Sequence, residues 1–530
     1  MRRWNGWGDE ATVYPLHDSA RRFLAEKVGP GTPPADATLE QIVSDVPPSR
    51  LQGRPLISHD AAARVRHAAG QSLPDWIALR SGRLPALPDG VAYPHSGDEV
   101  RDLLRLAAHT DAAVIPYGGG TSVVGHINPL RGDRPVLTVD LSRLNALISL
   151  NPESRLATFG AGVAGPDLEA ALNAKGFTLG HFPQSFELST LGGWIATRSA
   201  GQQALGYGRI ERLFAGCRME APAGTLIVPS FPASAAGPDL REFVLGSEGR
   251  AGIITEATVR ISALPEMEVF HAFFFASFEE GVAAARAIVQ SGARLSMIRL
   301  STAEETEITL ALAGHERLIG LLERFLAVRG VGHHRCMLLL GFTGERSMVD
   351  ASRRRAFFLA RASGGVHVGQ VFGKEWLKSR FRTPYLRNTL WESGYAIDTV
   401  ETATSWDAIH GMVAAVNAAL DHALDGEGER VHAFTHLSHL YPYGSSIYTT
   451  FLFRIAGDPN VTLARWRRLK ASVSQAIVNN GGTISHQHGV GTDHAPYLAG
   501  EKGALGLSTL RALFAQFDPS ETMNPGKLLP

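Results

Sequence analysis

The sequence predicts an α+β protein of two lobes: a first lobe of short strands, helices and glycine-rich turns, then a lobe built on an antiparallel sheet with helices on one face. Three observations predict it. At 530 residues the chain exceeds what a single hydrophobic core usually organises. Between residues 91 and 265, short β-branched runs alternate with glycine-rich turns and short helices. From residue 266 the pattern resets to longer apolar strands, each followed by a helix.

Residues 1–90 mix polar and apolar positions around Pro33-Pro34 and Pro47-Pro48, and read as short helices and loops wrapping a larger body. In the 91–265 lobe, AAVIPYGGG is a strand entering a glycine loop and PVLTVDLSRL is a second strand. LATFGAGVAG is a strand, a glycine turn and a helix start, and VLGSEGRAGIITEATVRI ends in an alternating strand. Helices over 98–108 and 166–175 lie between them. In the 266–480 lobe, HAFFFASF, ARLSMIRLST and HRCMLLLGFTG are strands. The segment 481–530 holds a histidine-containing loop and one helix, and is expected to pack back on the first lobe.

Composition excludes several classes. Basic and acidic residues balance at 51 each, so no charge surplus points to nucleic acid. The two cysteines, Cys217 and Cys336, are far apart, which rules out a disulfide scaffold or a cysteine-based zinc site. No apolar run is long enough to span a bilayer, and MRRWNGWGDE lacks the apolar core of a signal peptide. A cytoplasmic protein is expected.

The segment VIPYGGGTSVVG carries the first chemical signal. A diphosphate needs several convergent N–H donors with no Cβ in the way, and consecutive glycines supply both. No lysine follows in the Walker pattern, and the loop is not G-x-G-x-x-G opening a helix, so nucleotide-triphosphatase and Rossmann readings fail. By itself the loop could be an ordinary glycine turn.

Two further glycine-rich blocks follow it: STLGGWIATRSAGQQALGYG and LGSEGRAGIITEATVRI. The three in order resemble the FAD-binding lobe of the vanillyl-alcohol-oxidase and p-cresol-methylhydroxylase family. That resemblance implies a two-subdomain FAD-binding lobe with a substrate, or cap, domain behind it. It implies cofactor contacts from Pro116, Gly118, Gly119, Gly120, Thr121 and Ser122 in the first block. From the second come Pro183, Ser189, Thr190, Gly192, Gly193 and Thr197, and from the third Glu248, Gly252 and Ile253. Some family members tether FAD through a histidine. His126 lies just beyond the first loop, but the loop's tight positions carry Gly and Ser, so non-covalent FAD is expected.

The likeness narrows further. RRWNGWGDE, ALRSGRLPALPDGVAYPHSGDEV, YLRNTLWESGYAIDTVETATSWD, SHLYPYGSSIYTTFLF and GGTISHQHGVG resemble segments of alkyldihydroxyacetonephosphate synthases. Arg299, a charge in an otherwise apolar and hydroxyl strand, needs a partner, and guanidinium grips phosphate or carboxylate bidentately. The resemblance makes Arg299 a substrate-phosphate ligand, and Arg387 is a second anion-binding candidate for the substrate, although Asn388 stands where the synthases usually have Asp. It makes Tyr448 the catalytic tyrosine. A free phenol is too weakly acidic to act as a base at neutral pH, so Tyr448 needs a tuning neighbour, for which His486 and His488 are the candidates. The synthases carry three consecutive histidines, and here the middle one is Gln487.

Two reactions fit. A synthase exchanges acyl for alkoxy on acyl-dihydroxyacetone phosphate at flavin N5 with no net redox, as a transferase of ether-lipid biosynthesis. An FAD-linked oxidoreductase would instead take a hydride from glycerol 3-phosphate or a 2-hydroxy acid. Related D-2-hydroxy acid dehydrogenases bind a metal through histidines. His439 matches the first of these but the second is missing, so no metal is expected. The partners expected are a small phosphorylated or hydroxy-acid substrate, a second copy in a homodimer, and a membrane surface if the substrate is a lipid. Nucleic acid is not expected.

Overall fold

The computed structural model describes residues 2–51, 56–312 and 316–529. The fold is α+β, with three principal sheets.

Two sheets build the first lobe. Gly90–Ala92, Val136–Asp140 and Ala113–Tyr117 run parallel, with Ile57–Ser58 added antiparallel at one edge. A five-stranded antiparallel sheet follows in the order Leu147–Asn151, Leu156–Gly160, Ile253–Arg260, Phe214–Ala221, Gly224–Val228. The C-terminal segment closes this lobe. Leu498, Leu507, Phe514 and Leu528 enter its core, and Met523 bridges to Val114.

The second lobe is one seven-stranded antiparallel sheet. Its order is Val366–His367, Met267–Phe275, Cys336–Gly344, Met297–Ser301, His432–Tyr441, Gly444–Arg454, Tyr395–Ser405. The expectation of helices on one face needs correction. Phe273 and Phe275 point to the helices Phe278–Gln290 and Arg346–Ala362, while Phe270 and Phe274 point the other way and meet Leu326, Phe372 and Trp376. Every residue of a fully apolar strand is buried, so both faces must be covered there. At the far edge the strands alternate instead. Val400, Ile447 and Phe451 face the helices Ile409–His422 and Pro459–Asn479, whereas Ile397, Thr399, Tyr448 and Thr450 face the first lobe and line a cleft.

The N-terminal segment joins the two lobes. Arg80 is buried between the rings of Trp76 and Trp391, with Asp36 at 2.7 Å. Asn388 clasps the Trp7 peptide at both ends: its Oδ1 accepts from Trp7 N at 3.1 Å and its Nδ2 donates to Trp7 O at 3.0 Å. A carboxylate could make only the first of these bonds, which explains Asn in place of the Asp expected by resemblance.

Two predictions follow from these layers. Asn388→Asp leaves the Trp7 carbonyl unpaired and should cost about 1–3 kcal/mol, read from urea unfolding midpoints. Burial holds nine of the described imidazoles below their ordinary value, among them His271 and His432 at about 4, and His181, His439 and His494 at about 3. The unfolded chain therefore takes up protons first. Stability should be fully present above pH 6.5 and fall steeply toward pH 4, with urea midpoints flat between pH 7 and 8.

Candidate active site

The strand Ala113–Tyr117 delivers the chain into the glycine loop. A Cβ on Gly118 would strike the Thr190 hydroxyl, and one on Gly119 the carbonyl of Leu188. Gly120 has φ +65°. Glycine is thus required for the first loop to pack on the second block. With its back so packed, the loop turns its amides to the cleft. Among the described residues, the N–H groups of Gly118 to Val123 find no acceptor in the protein. A row of unpaired donors along a cleft suits a diphosphate, so the residues present fit the phosphates of FAD.

Pro116, Gly118, Gly119, Gly120, Thr121 and Ser122 all line this cleft. So do Pro183, Ser189, Thr190, Gly192, Gly193 and Thr197, and so do Glu248 and Gly252. Ile253 does not: it is fully buried in the core with Val114 and Met523. It starts an alternating strand, so it turns inward while its neighbours Gly252 and Ile254 line the cleft.

The far wall of the cleft comes from the second lobe. Strand register sets His436 opposite Tyr448, and Tyr448 opposite Glu401, so the three side chains share one face. The His436 ring stacks on Tyr448 with centroids 5.1 Å apart, and His488 meets its edge at 5.7 Å. Each imidazole has a buried carboxylate behind it. His436 Nδ1 lies 3.1 Å from Glu305, and His488 Nδ1 lies 3.6 Å from Glu401. Burial would raise the Glu305 carboxyl, but His436 and Arg299 overcome it and hold the group at about 2. Burial lowers both histidines, against the pull of their carboxylates. Burial also pushes the Tyr448 phenol up, against a hydrogen bond with Thr399.

Arg387 reaches the same cleft from the helix Thr383–Glu392. Its guanidinium lies over Trp76 at 4.4 Å and donates to the carbonyl of Gln71, while Nη2 is buried with no partner. Burial pulls it down to about 10, against Asp398 and Asp75, so it remains a cation at neutral pH.

Two expected residues lie elsewhere. Arg299 does not line the cleft: it pairs with Glu305 and approaches His436 Nδ1 at 3.2 Å, and it reaches Tyr448 through these contacts and by its charge at a distance. His486 turns away, its Nε2 meeting Arg209 Nη1 at 2.6 Å and the Tyr441 hydroxyl at 2.7 Å. The His439 ring sits 5.1 Å from that of His486, whereas His488 faces Tyr448. Among the described residues, no group of three metal-binding side chains is arranged to hold an ion.

Sequence reasoning passed over Glu401, Glu305 and His436. Glu401 carried a usable signal, since a charge in TVETATS is as anomalous in its strand as Arg299 is in SMIRLST. Glu305 and His436 carried none, because their roles depend on pairing register. His126 is also engaged: Nδ1 lies 2.8 Å from Ser122 Oγ and Nε2 3.1 Å from the Glu248 carboxylate.

Comparison with known proteins agrees with this geometry. Residues 264–528 match the C-terminal domain of FAD-linked oxidases, and residues 88–229 match an FAD binding domain. The alkyldihydroxyacetonephosphate synthase of Dictyostelium discoideum is 30% identical over 100% of this chain and 93% of its own length. That of Trypanosoma brucei brucei is 29% identical over 100% and 92%. A solved structure of alkyldihydroxyacetonephosphate synthase superposes with a TM-score of 0.85 at 29% identity, covering 99% of each chain. The chain therefore belongs to the FAD-linked oxidase family, resembles its alkyldihydroxyacetonephosphate synthases over its whole length, and is an FAD-dependent enzyme.

Proposed function

We propose that this enzyme converts acyl-dihydroxyacetone phosphate and a fatty alcohol into alkyl-dihydroxyacetone phosphate and a fatty acid. One observation carries the reading. The Tyr448 ring, set between two carboxylate-backed histidines, shares a cleft with the unpartnered Nη2 of Arg387. The first is an apparatus for moving a proton, and the second is a cation waiting for an anion.

Arg387 binds the substrate phosphate. Its orphan donor and fixed stack on Trp76 suit a planar, directed grip. Tyr448 transfers a proton between substrate and His488. His488 is neutral, and Glu401 stabilises the imidazolium that forms. His436 holds the Tyr448 ring from its other face, and Arg299 and Glu305 fix His436. Bound FAD supplies a ring that accepts and returns electron density, so the exchange of acyloxy for alkoxy at carbon is redox-neutral. The carbon–oxygen bond to the acyl group breaks, the alcohol oxygen forms the new bond, and the alcohol proton leaves by way of Tyr448.

Cytoplasmic residence and a homodimer belong to the same proposal, checked by fractionation and sedimentation. Peripheral contact with a lipid surface follows from an acyl-bearing substrate. Among the described residues no helix is long and apolar enough to cross a membrane.

Acyl-for-alkoxy exchange should proceed in an anaerobic cell without net loss of flavin absorbance. Rapid bleaching by glycerol 3-phosphate or lactate, with turnover on an artificial acceptor and no exchange, would sink the synthase reading in favour of a dehydrogenase. Tyr448→Phe should lower kcat by about 10²–10⁴-fold with FAD content unchanged. Gly119→Ala drives a methyl group into the Leu188 carbonyl. It should weaken FAD retention by roughly tenfold to a hundredfold, measured by the flavin-to-protein absorbance ratio after dialysis.

A further inference from the structure

Besides Trp7 Nε1, His126 Nε2 and Asn524 Oδ1, two buried polar atoms of residues lining the cleft have no hydrogen-bond partner among the described residues: Nη2 of Arg387 and Oε1 of Gln487. The first is a donor, already assigned to phosphate. The second is an acceptor that no step above uses.

Its position is fixed by the loop beneath it. The N–H of Gln487 donates to Glu401 Oε1 at 2.7 Å, and those of His486 and His488 donate to the same oxygen at 3.2 and 2.6 Å. Holding three consecutive amides also holds the directions in which their side chains leave. His486 goes to Arg209 and Tyr441, and His488 to the edge of Tyr448. Gln487, between them, faces the cleft beside His439. Burial holds His439 at about 3 although Gln487 pulls it upward, so the ring is neutral, and Oε1 of Gln487 still makes no hydrogen bond to it.

A buried carbonyl oxygen without a donor is an unfavourable arrangement that water or a protein group normally relieves. In a ligand cleft, the ligand can supply the missing donor. An amide does not titrate, so this acceptor is present at every working pH, which an imidazole in its place would not guarantee. We propose that Gln487 Oε1 reads the bound ligand, accepting an N–H or O–H hydrogen bond from the molecule that lies against Tyr448. Two sources carry such a donor: the imide N–H of the flavin ring and a hydroxyl of the three-carbon phosphate. The inference rests on the reading that both occupy this cleft.

The test separates the sources by measuring binding rather than turnover. Gln487→Met keeps length and removes the acceptor, and Gln487→Glu restores an acceptor oxygen. Dialysis of each holoenzyme against graded free FAD gives cofactor affinity. The shift in flavin absorption on adding acyl-dihydroxyacetone phosphate or glycerol 3-phosphate gives ligand affinity. The Met variant should bind one partner about tenfold more weakly and leave the other unchanged, with the Glu variant recovering part of the loss. A weaker FAD arm assigns the imide, and a weaker phosphate-ligand arm assigns the hydroxyl. Thermal midpoints at saturating FAD should match the parent, whereas a merely structural role would lower them in both variants. Unchanged FAD affinity together with an unchanged or silent phosphate-ligand arm overturns the proposal. So does an equal thermal loss in both variants with no selective change in affinity. Because neither arm needs turnover, absence of acyl-for-alkoxy exchange in the parent would overturn the functional reading and leave this result standing.

Discussion

The active site depends on one short loop, 485–491, gripped by two buried carboxylates from different lobes. Glu401, on the edge strand of the seven-stranded sheet, accepts the N–H groups of His486, Gln487 and His488. Glu248, from the third glycine-rich block, accepts those of Val490 and Gly491 at 2.6 and 2.8 Å. Burial alone would raise the Glu401 carboxyl. The interaction with His488 and these N–H bonds reverse that and keep it ionised. Glu248 sits at φ +51°, a conformation unfavourable for a side chain by about 1–2 kcal/mol. Two charge-assisted bonds to amides offset that strain. The loop is therefore a clamp. It sets the cofactor lobe and the Tyr448 face at a fixed separation, and the cleft between them follows from that.

Most of the first lobe was legible because its information is local. A run of glycines, a β-branched strand and a short helix can each be read within a dozen residues, and the cradle residues of three blocks, Ile253 apart, line one cleft. The second lobe was less legible for a physical reason. Its chemistry lies in cross-strand neighbours, and register is not written in either strand alone. Tyr448 could be singled out, but not the His436 and Glu401 that flank it. Arg299 shows the same limit from the other side. Its need for a partner was correctly inferred from its apolar strand, yet the partner is Glu305 rather than a ligand. The one-faced sheet failed because HAFFFASF alternates between two apolar surfaces, and a continuous apolar run does not say how many layers cover it.

The electrostatic design uses fixed cations and neutral imidazoles. Arg209 and Arg387 are half-buried and charged, and around Arg209 lie His181, His439 and His486, all depressed chiefly by burial and then by the guanidinium. Neutral rings can accept a proton, whereas rings already protonated cannot. Unlike those three, His488 and His436 have carboxylates close enough to stabilise an added charge, and both touch Tyr448. Proximity of a histidine to the cleft is thus a poor guide to its role. The group behind the ring decides it.

Arg387 completes the argument. A guanidinium removed from water should be paired, because an uncompensated buried charge is among the costliest arrangements in a protein. Among the described residues no carboxylate touches it: Asp75 and Asp398 act at a distance, and its contacts are the Gln71 carbonyl and the Trp76 ring. The Trp76 face recovers part of the lost hydration. The clasp of Asn388 on Trp7, one residue along the same helix, holds the guanidinium's backbone in place. The fold thus carries a rigid cation whose compensation is incomplete within the chain. An anion entering the cleft supplies what is missing, so binding energy for the phosphate is stored in the protein before the substrate arrives.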